Sequence, residues 1–195
     1  MDINTEVKLL CESAKAASRT VALASEEQKN ALLGRIAELL IENEKTIIEA
    51  NATDLAAAEE NGVAKAMLDR LMINSDRIKG IADSLYNVIS LEDPIGKGDE
   101  WSRPSGITLR RIRVPLGVVG IIYEARPNVT VDSAALCLKT GNAVVLRGGK
   151  EAINTNKEFV RVIKIALEEC GFDRGAVELI TSTSRESAGA LMSMR

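Results

Sequence analysis

The sequence predicts an α/β fold: a Rossmann-like parallel sheet with helices on both faces and a helical layer on its N-terminal side. Three observations carry this. Two short apolar runs, Val118–Tyr123 and Ala143–Leu146, and a third strand-like segment, Ala176–Ile180, alternate with helix-like stretches, the β-α-β-α-β-α order that builds right-handed parallel sheets. The first of these runs is apolar throughout, as in strands buried on both faces. Most of the first ninety residues instead repeat apolar positions at spacings of three and four, the helical period.

Taken in order, Val7, Leu10, Ala14, Ala17 and Val21 mark one buried helix face. Ser25 and Gln28 have the spacing of a capping box and open a second helix. Leu32, Leu33, Ile36, Leu39 and Leu40 line one side of it, with Glu38, Glu42 and Lys45 on the other. Asn61-Gly62 is a stop signal. Further helices are expected over 63–71 and from about Ser75 to about Ser90, the latter with Ile78, Ile81, Leu85, Val88 and Ile89 inward. Asp93-Pro94 ends that pattern, because proline disfavours helix at the residue before it.

Residues 94–106 form a connection rich in glycine, proline and charge, and lone Trp101 within it is expected to plug a surface hollow. Ile107, Leu109 and Arg111 alternate with Thr108, Arg110 and Ile112, as in a strand exposed on at least one face. Arg110, Arg111 and Arg113 fall on its solvated side. After Tyr123 a helix is expected at about 130–139, with Gly141 at its C-terminal cap. Another runs to about Cys170 and closes at Gly171. The organisation is therefore 1–93 helical layer, 94–106 connection and 107–195 Rossmann-like unit.

Composition narrows the chemistry. The chain has 195 residues, 46% apolar and 27% charged, with a net charge of −3. That balance is globular and does not suit a general nucleic-acid binder. No apolar run is long enough to span a bilayer. The three cysteines, Cys11, Cys137 and Cys170, show neither metal spacing nor a disulfide framework, which fits a reducing cytoplasm. There is no histidine, so histidine-based triads and zinc sites are excluded within this chain. Neither a GxxxxGK[ST] loop nor a GxGxxG fingerprint occurs.

Two loops at the carboxyl ends of the predicted strands carry chemistry, since ligands of open parallel sheets bind in the crevice there. In the first, Arg147-Gly148-Gly149-Lys150, two glycines would let a ligand approach the backbone. A helix N-terminus would follow with its free N–H groups. The two cations suit the 2′-phosphate of NADP(H). A tight turn with solvated cations explains the same residues equally well. In the second, Glu124-Ala125-Arg126-Pro127-Asn128, Arg126 could hold an anion and Asn128 could donate to a developing oxyanion. Ordinary turn composition with Asn128 as a helix cap is the simpler reading. At Thr181–Arg185 a helix cap on Ser184 is favoured over a pyrophosphate contact. Cys137 and Cys170 read as small apolar residues rather than nucleophiles.

The run RVPLGVVGIIYEARPNVTVDSAALCLKTGNAVVLRGGKEA (113–152), with NGVAKAMLDRL (61–71) and DRIKGIADSL (76–85), resembles the γ-glutamyl phosphate reductase (glutamate-5-semialdehyde dehydrogenase) family of the aldehyde dehydrogenase superfamily. YEARPNVTVD is its most specific part. The resemblance implies an incomplete aldehyde dehydrogenase-like cofactor domain. It implies reduction of γ-glutamyl phosphate with NADPH to glutamate 5-semialdehyde and phosphate, in proline biosynthesis, through a cysteine thioester. It places Glu124, Ala125, Arg126 and Pro127 along the nicotinamide half of the cofactor and makes Asn128 an oxyanion-hole residue. Arg147, Gly148, Gly149 and Lys150 fall at the adenosine side. The catalytic cysteine and the dimerisation elements of that family lie beyond Arg195. The chain is then expected to be an N-terminal portion, inactive alone, of a cytoplasmic homo-oligomer that could pair with glutamate 5-kinase. A non-catalytic nucleotide-binding module and another acyl-group reductase of the superfamily are the alternatives.

Overall fold

The computed structural model describes residues 2–194. Five helices come first: α1 (Ile3–Leu23), α2 (Glu26–Glu42), α3 (Glu44–Glu60), α4 (Lys65–Leu71) and α5 (Ser75–Ser90). A hairpin of β1 (Gly98–Ser102) and β2 (Thr108–Ile112) follows. Then β3 (Val118–Ile122), α6 (Asn128–Lys139), β4 (Ala143–Arg147), α7 (Ile153–Glu169), β5 (Val177–Leu179) and α8 (Arg185–Ser193) alternate.

Local chemistry sets most of the boundaries. The capping box at Ser25 is complete, with Gln28 N donating to Ser25 Oγ and Ser25 N to Gln28 Oε1, two orphan donors satisfied reciprocally. Asn74 caps α5 by accepting from Arg77 N at 2.9 Å. Gly141 and Gly171 take positive φ (73° and 75°) just past α6 and α7, where a β-carbon would be strained.

One expected helix becomes two. The run from Ser25 toward Asn61 breaks at Asn43, whose N–H closes α2 on the Leu39 carbonyl and whose carbonyl accepts from Ile47 N to start α3. Its side-chain amide also donates to the Leu39 carbonyl at 2.8 Å. A short amide competing for helical backbone partners favours such a break.

The connection at 94–106 is not irregular throughout. Residues 98–102 pair antiparallel with β2, and Trp101 sits opposite Leu109. Trp101 is 46% exposed on that ribbon and fills no hollow. Arg110 pairs with Glu100 and Arg111 with Asp99 across the strands, so these arginines belong to a separate two-stranded ribbon rather than to the edge of the main sheet.

The main sheet is parallel, in the order β3-β4-β5. Val118–Tyr123 is therefore an edge, not a strand buried on both sides. Its pattern is half-buried to exposed, with Ile122 44% exposed. Among the described residues only β4 has a strand on each side, and its apolar residues are fully enclosed. Alternation then divides them between two cores. Val144 and Leu146 pack with α6 and α7, while Ala143 and Val145 pack with α1 and α8. The residues of 1–93 divide accordingly. α1 covers one face of the sheet directly, and α2, α3 and α5 pack on the outer side of α6 and α7. Buried Lys29 pairs with Asp93, and buried Lys139 donates to Asn30 Oδ1 and the Ile89 carbonyl. The first contact ties α2 to the segment after α5, and the second ties α6 to α2 and to the end of α5.

Candidate functional site

Three loops leave the carboxyl ends of β3, β4 and β5, and hydrogen bonds hold them together. Tyr123 N donates to the Arg147 carbonyl at 3.1 Å, so the first two strands stay in register to the point where both turn away. Arg147 Nη2 donates to the Thr183 and Ser184 carbonyls at 2.8 and 2.9 Å, which joins the second loop to the third. Ser184 caps α8 by accepting from Ser187 N, as its sequence context predicts.

The two glycines serve loop packing. A β-carbon at Gly148 would run into Asn156 Nδ2 and come within 3.0 Å of the Tyr123 phenol. At Gly149 it would lie 2.9 Å from Ala125 N and 3.0 Å from Glu151 Oε2. The space that sequence reasoning reserves for a ligand beside these backbones is filled by the 123–125 loop.

The start of α7 differs from expectation as well. A 3₁₀ turn, Lys150–Ala152, separates the glycines from the helix. Two first-turn N–H groups of α7, those of Asn154 and Thr155, are already taken. Buried Asp54, from α3, accepts from Asn154 N, Asn154 Nδ2, Thr155 N and Thr155 Oγ1 at 2.7–3.1 Å. A carboxylate of the protein itself occupies the place where a helix N-terminus would draw a phosphate. Sequence reasoning passes over Asp54. Its only trace there is an acidic residue inside an otherwise ordinary helical stretch.

What remains at this edge is unpaired positive charge. Among the described residues no carboxylate lies in ion-pair contact with Arg126, Arg147, Lys150 or Arg185. Arg126 and Lys150 are exposed and Arg147 is half-buried. Carbonyl partners orient the Arg147 guanidinium without cancelling its charge. Glu124 is exposed, while Ala125 and Pro127 are buried, so that loop offers its charged side chains outward and its small ones to packing.

Beneath these loops Tyr123 OH lies 2.7 Å from Thr130 Oγ1, which donates in turn to Asn156 Oδ1 at 2.7 Å. The threonine has one proton to give, so the phenol donates to it. Burial pushes the Tyr123 phenol up to about 12.

Asn128 is the first residue of α6 and does not cap it. Its amide donates to Asp132 Oδ2 at 3.0 Å. Asn128 borders a hollow between α5 and α6, whereas Lys150 borders one between α3 and the start of α7. No thiol is activated. Burial raises Cys137 to about 11 and also raises Cys11 and Cys170. No group of three or more acidic, cysteine or histidine side chains suits a metal among the described residues, and no helix there is long and apolar enough to cross a membrane.

Residues 3–195 match the aldehyde dehydrogenase family. Among curated proteins, the γ-glutamyl phosphate reductase of Heliobacterium modesticaldum is 49% identical over all 195 residues and that of Clostridium perfringens 50% identical over 191. The chain spans about half the length of these relatives, 47% and 46%. Among solved structures, γ-glutamyl phosphate reductase from Thermotoga maritima superposes with a TM-score of 0.93 at 40% identity, covering 96% of this chain and 45% of that one. The corresponding protein of Saccharomyces cerevisiae gives 0.84 at 33%, covering 91% and 47%.

Proposed function

The chain belongs to the aldehyde dehydrogenase family, and on that premise we propose that it forms part of a γ-glutamyl phosphate reductase of proline biosynthesis. That enzyme reduces γ-glutamyl phosphate with NADPH, giving glutamate 5-semialdehyde and phosphate. The observation that carries the reading is the convergence of three strand-end loops around cations that no protein carboxylate neutralises. A site for an anionic dinucleotide needs that charge, and the identity to named reductases supplies the substrate.

In this proposal Arg147 and Lys150 hold the 2′-phosphate of NADP(H). Their side chains perform this task, since the helix N-terminus is taken by Asp54. Gly148 and Gly149 allow the loop to close on Ala125 and so present those cations. Glu124, Ala125, Arg126 and Pro127 line the nicotinamide half. When bound, the dinucleotide supplies the hydride. Asn128 has two amide protons. One is held by Asp132, which orients the group, and the other is directed at the acyl oxygen as it gains charge.

The reaction also requires a thiolate. Burial raises Cys11, Cys137 and Cys170, and in this proposal the nucleophile is supplied from outside residues 1–195. A cytoplasmic location, a homo-oligomeric state and pairing with glutamate 5-kinase belong to the same proposal.

The test is NADPH oxidation by the gene product that contains this chain, at its natural length, with γ-glutamyl phosphate made in place by glutamate 5-kinase and ATP. Turnover is expected there and none from the 195-residue chain. Absence of turnover in the former sinks the assignment, and oxidation with acyl-CoA alone transfers it to another acyl-group reductase. Steady turnover by the 195-residue chain would show that one of its own cysteines serves.

A further inference from the structure

The hollow that Asn128 borders has a second set of features unrelated to the dinucleotide. It holds about 470 Å³ between the start of α5 and the first turns of α6, large enough for an amino-acid side chain and its head group. Charges of both signs line it, exposed Arg70 and Asp76 and half-buried Asp132, with the neutral Ser84 hydroxyl beside them. Its apolar floor comes from buried Ile73 and Ile81.

Three of these charges, Arg70, Asp76 and Asp132, have no counter-ion among the described residues. The Asp132 carboxylate is half-buried and accepts from Asn128 Nδ2 at 3.0 Å; Ser84 Oγ lies 3.3 Å away but gives its one proton to the Ile81 carbonyl at 2.7 Å. No cation lies in ion-pair contact with Asp132 among the described residues, nor any carboxylate with Arg70. Arg77, by contrast, is spent on Asp69 and on the Asp69 and Met72 carbonyls. The half-buried Asp132 carboxylate keeps acceptor capacity that a cation in the hollow could use. Gly80 adds a separate sign. It lies inside α5, where glycine weakens a helix, and a β-carbon there would meet nothing within 4 Å. The missing side chain leaves the hollow open.

We propose that this hollow seats an α-amino-acid head group, with Asp132 taking the ammonium and Arg70 the carboxylate. The inference rests on the reductase reading for the identity of the substrate, whose glutamyl end carries that zwitterion. It makes Arg70 and Asp132 the residues that distinguish a glutamyl acyl group from a plain acyl chain, and it places the reacting carbonyl toward Asn128.

The 195-residue chain tests it by amide NMR titration with L-glutamate, glutarate (no ammonium) and 4-aminobutyrate (no α-carboxylate). Saturable shifts with L-glutamate are expected, clustered at residues 70–84 and 128–132. Loss of either charged group from the ligand, or Arg70→Gln or Asp132→Asn in the protein, should weaken binding about tenfold or more, as charge-assisted hydrogen bonds do. Gly80→Leu should abolish binding with the spectrum otherwise preserved. No saturable response at these residues, or an equal response to glutarate, overturns the proposal. The reductase reading fails separately. If the natural-length gene product turns over γ-glutamyl phosphate and Arg70→Gln leaves KM unchanged, the hollow is not the head-group site. If L-glutamate binds as described but no turnover occurs, the reductase assignment fails instead.

Discussion

Arg147 shows how one residue can serve the fold and remain available to a ligand. Its Nη2 protons join two loops, yet its charge is not balanced. We expect Arg147→Ala and Lys150→Glu, in the natural-length protein, to raise the dissociation constant for NADPH about tenfold or more and to change that for NADH little. Calorimetric titration with each dinucleotide checks this, and equal losses would show that the cations do not read the 2′-phosphate. Tyr123 carries a pH signature. Its folded value of about 12 lies above the ordinary phenol value near 10. The neutral phenol therefore contributes stability in full below pH 10, and that contribution is lost as pH rises toward 12. The loss is of order 2 kcal/mol. Tyr123→Phe should cost about 1 kcal/mol at pH 8 and flatten the stability decline between pH 10 and 12, as read by urea denaturation at several pH values. A decline as steep as the parent's would assign the alkaline loss to other groups.

Asp54 sets the character of α7 at the level of elements. Four donors converge on its carboxylate, two of them orphan N–H groups of the helix start. Removing a helix cap costs about 0.5–2 kcal/mol, and leaving buried donors unmet adds more. Asp54→Ala should destabilise the chain by about 3 kcal/mol and lower Tm by roughly 6–12 °C in calorimetry. A change below about 2 °C would show that water replaces the carboxylate without loss. Most elements were legible because their signals are local. The capping box at Ser25, the αL glycines at 141 and 171, and the periodicity of 75–90 each act within a few residues. The exceptions have equally physical reasons. The break at Asn43 depends on one amide choosing a backbone partner. β1 became a strand only because β2 lies opposite it, and pairing is not encoded in either strand alone.

Across the whole molecule, α1 matters more than an outer layer would. It closes the second face of the sheet through Val7 and Ala14, while Ala17 and Val21 pack into the first core, and Ser13 donates to Glu178 of β5. Each buried valine is worth about 1.5–3 kcal/mol against a total stability near 5–15 kcal/mol. Deleting residues 1–24 should therefore abolish cooperative unfolding and expose Ala143 and Val145, detectable as increased dye binding and loss of a thermal transition. A sharp transition in the shortened chain would show that α1 is dispensable. The alternation of strands and helices, the helical N-terminus, the turn chemistry and the two charged loops were determined by the sequence alone, because period, capping and composition are properties of neighbouring residues. The edge position of β3, the packing use of Gly148 and Gly149, the carboxylate at the start of α7 and the opposed charges beside Asn128 were decided only by tertiary structure. Each joins residues far apart in the chain, and which distant group fills a space or meets a donor is settled by packing, which no local pattern records.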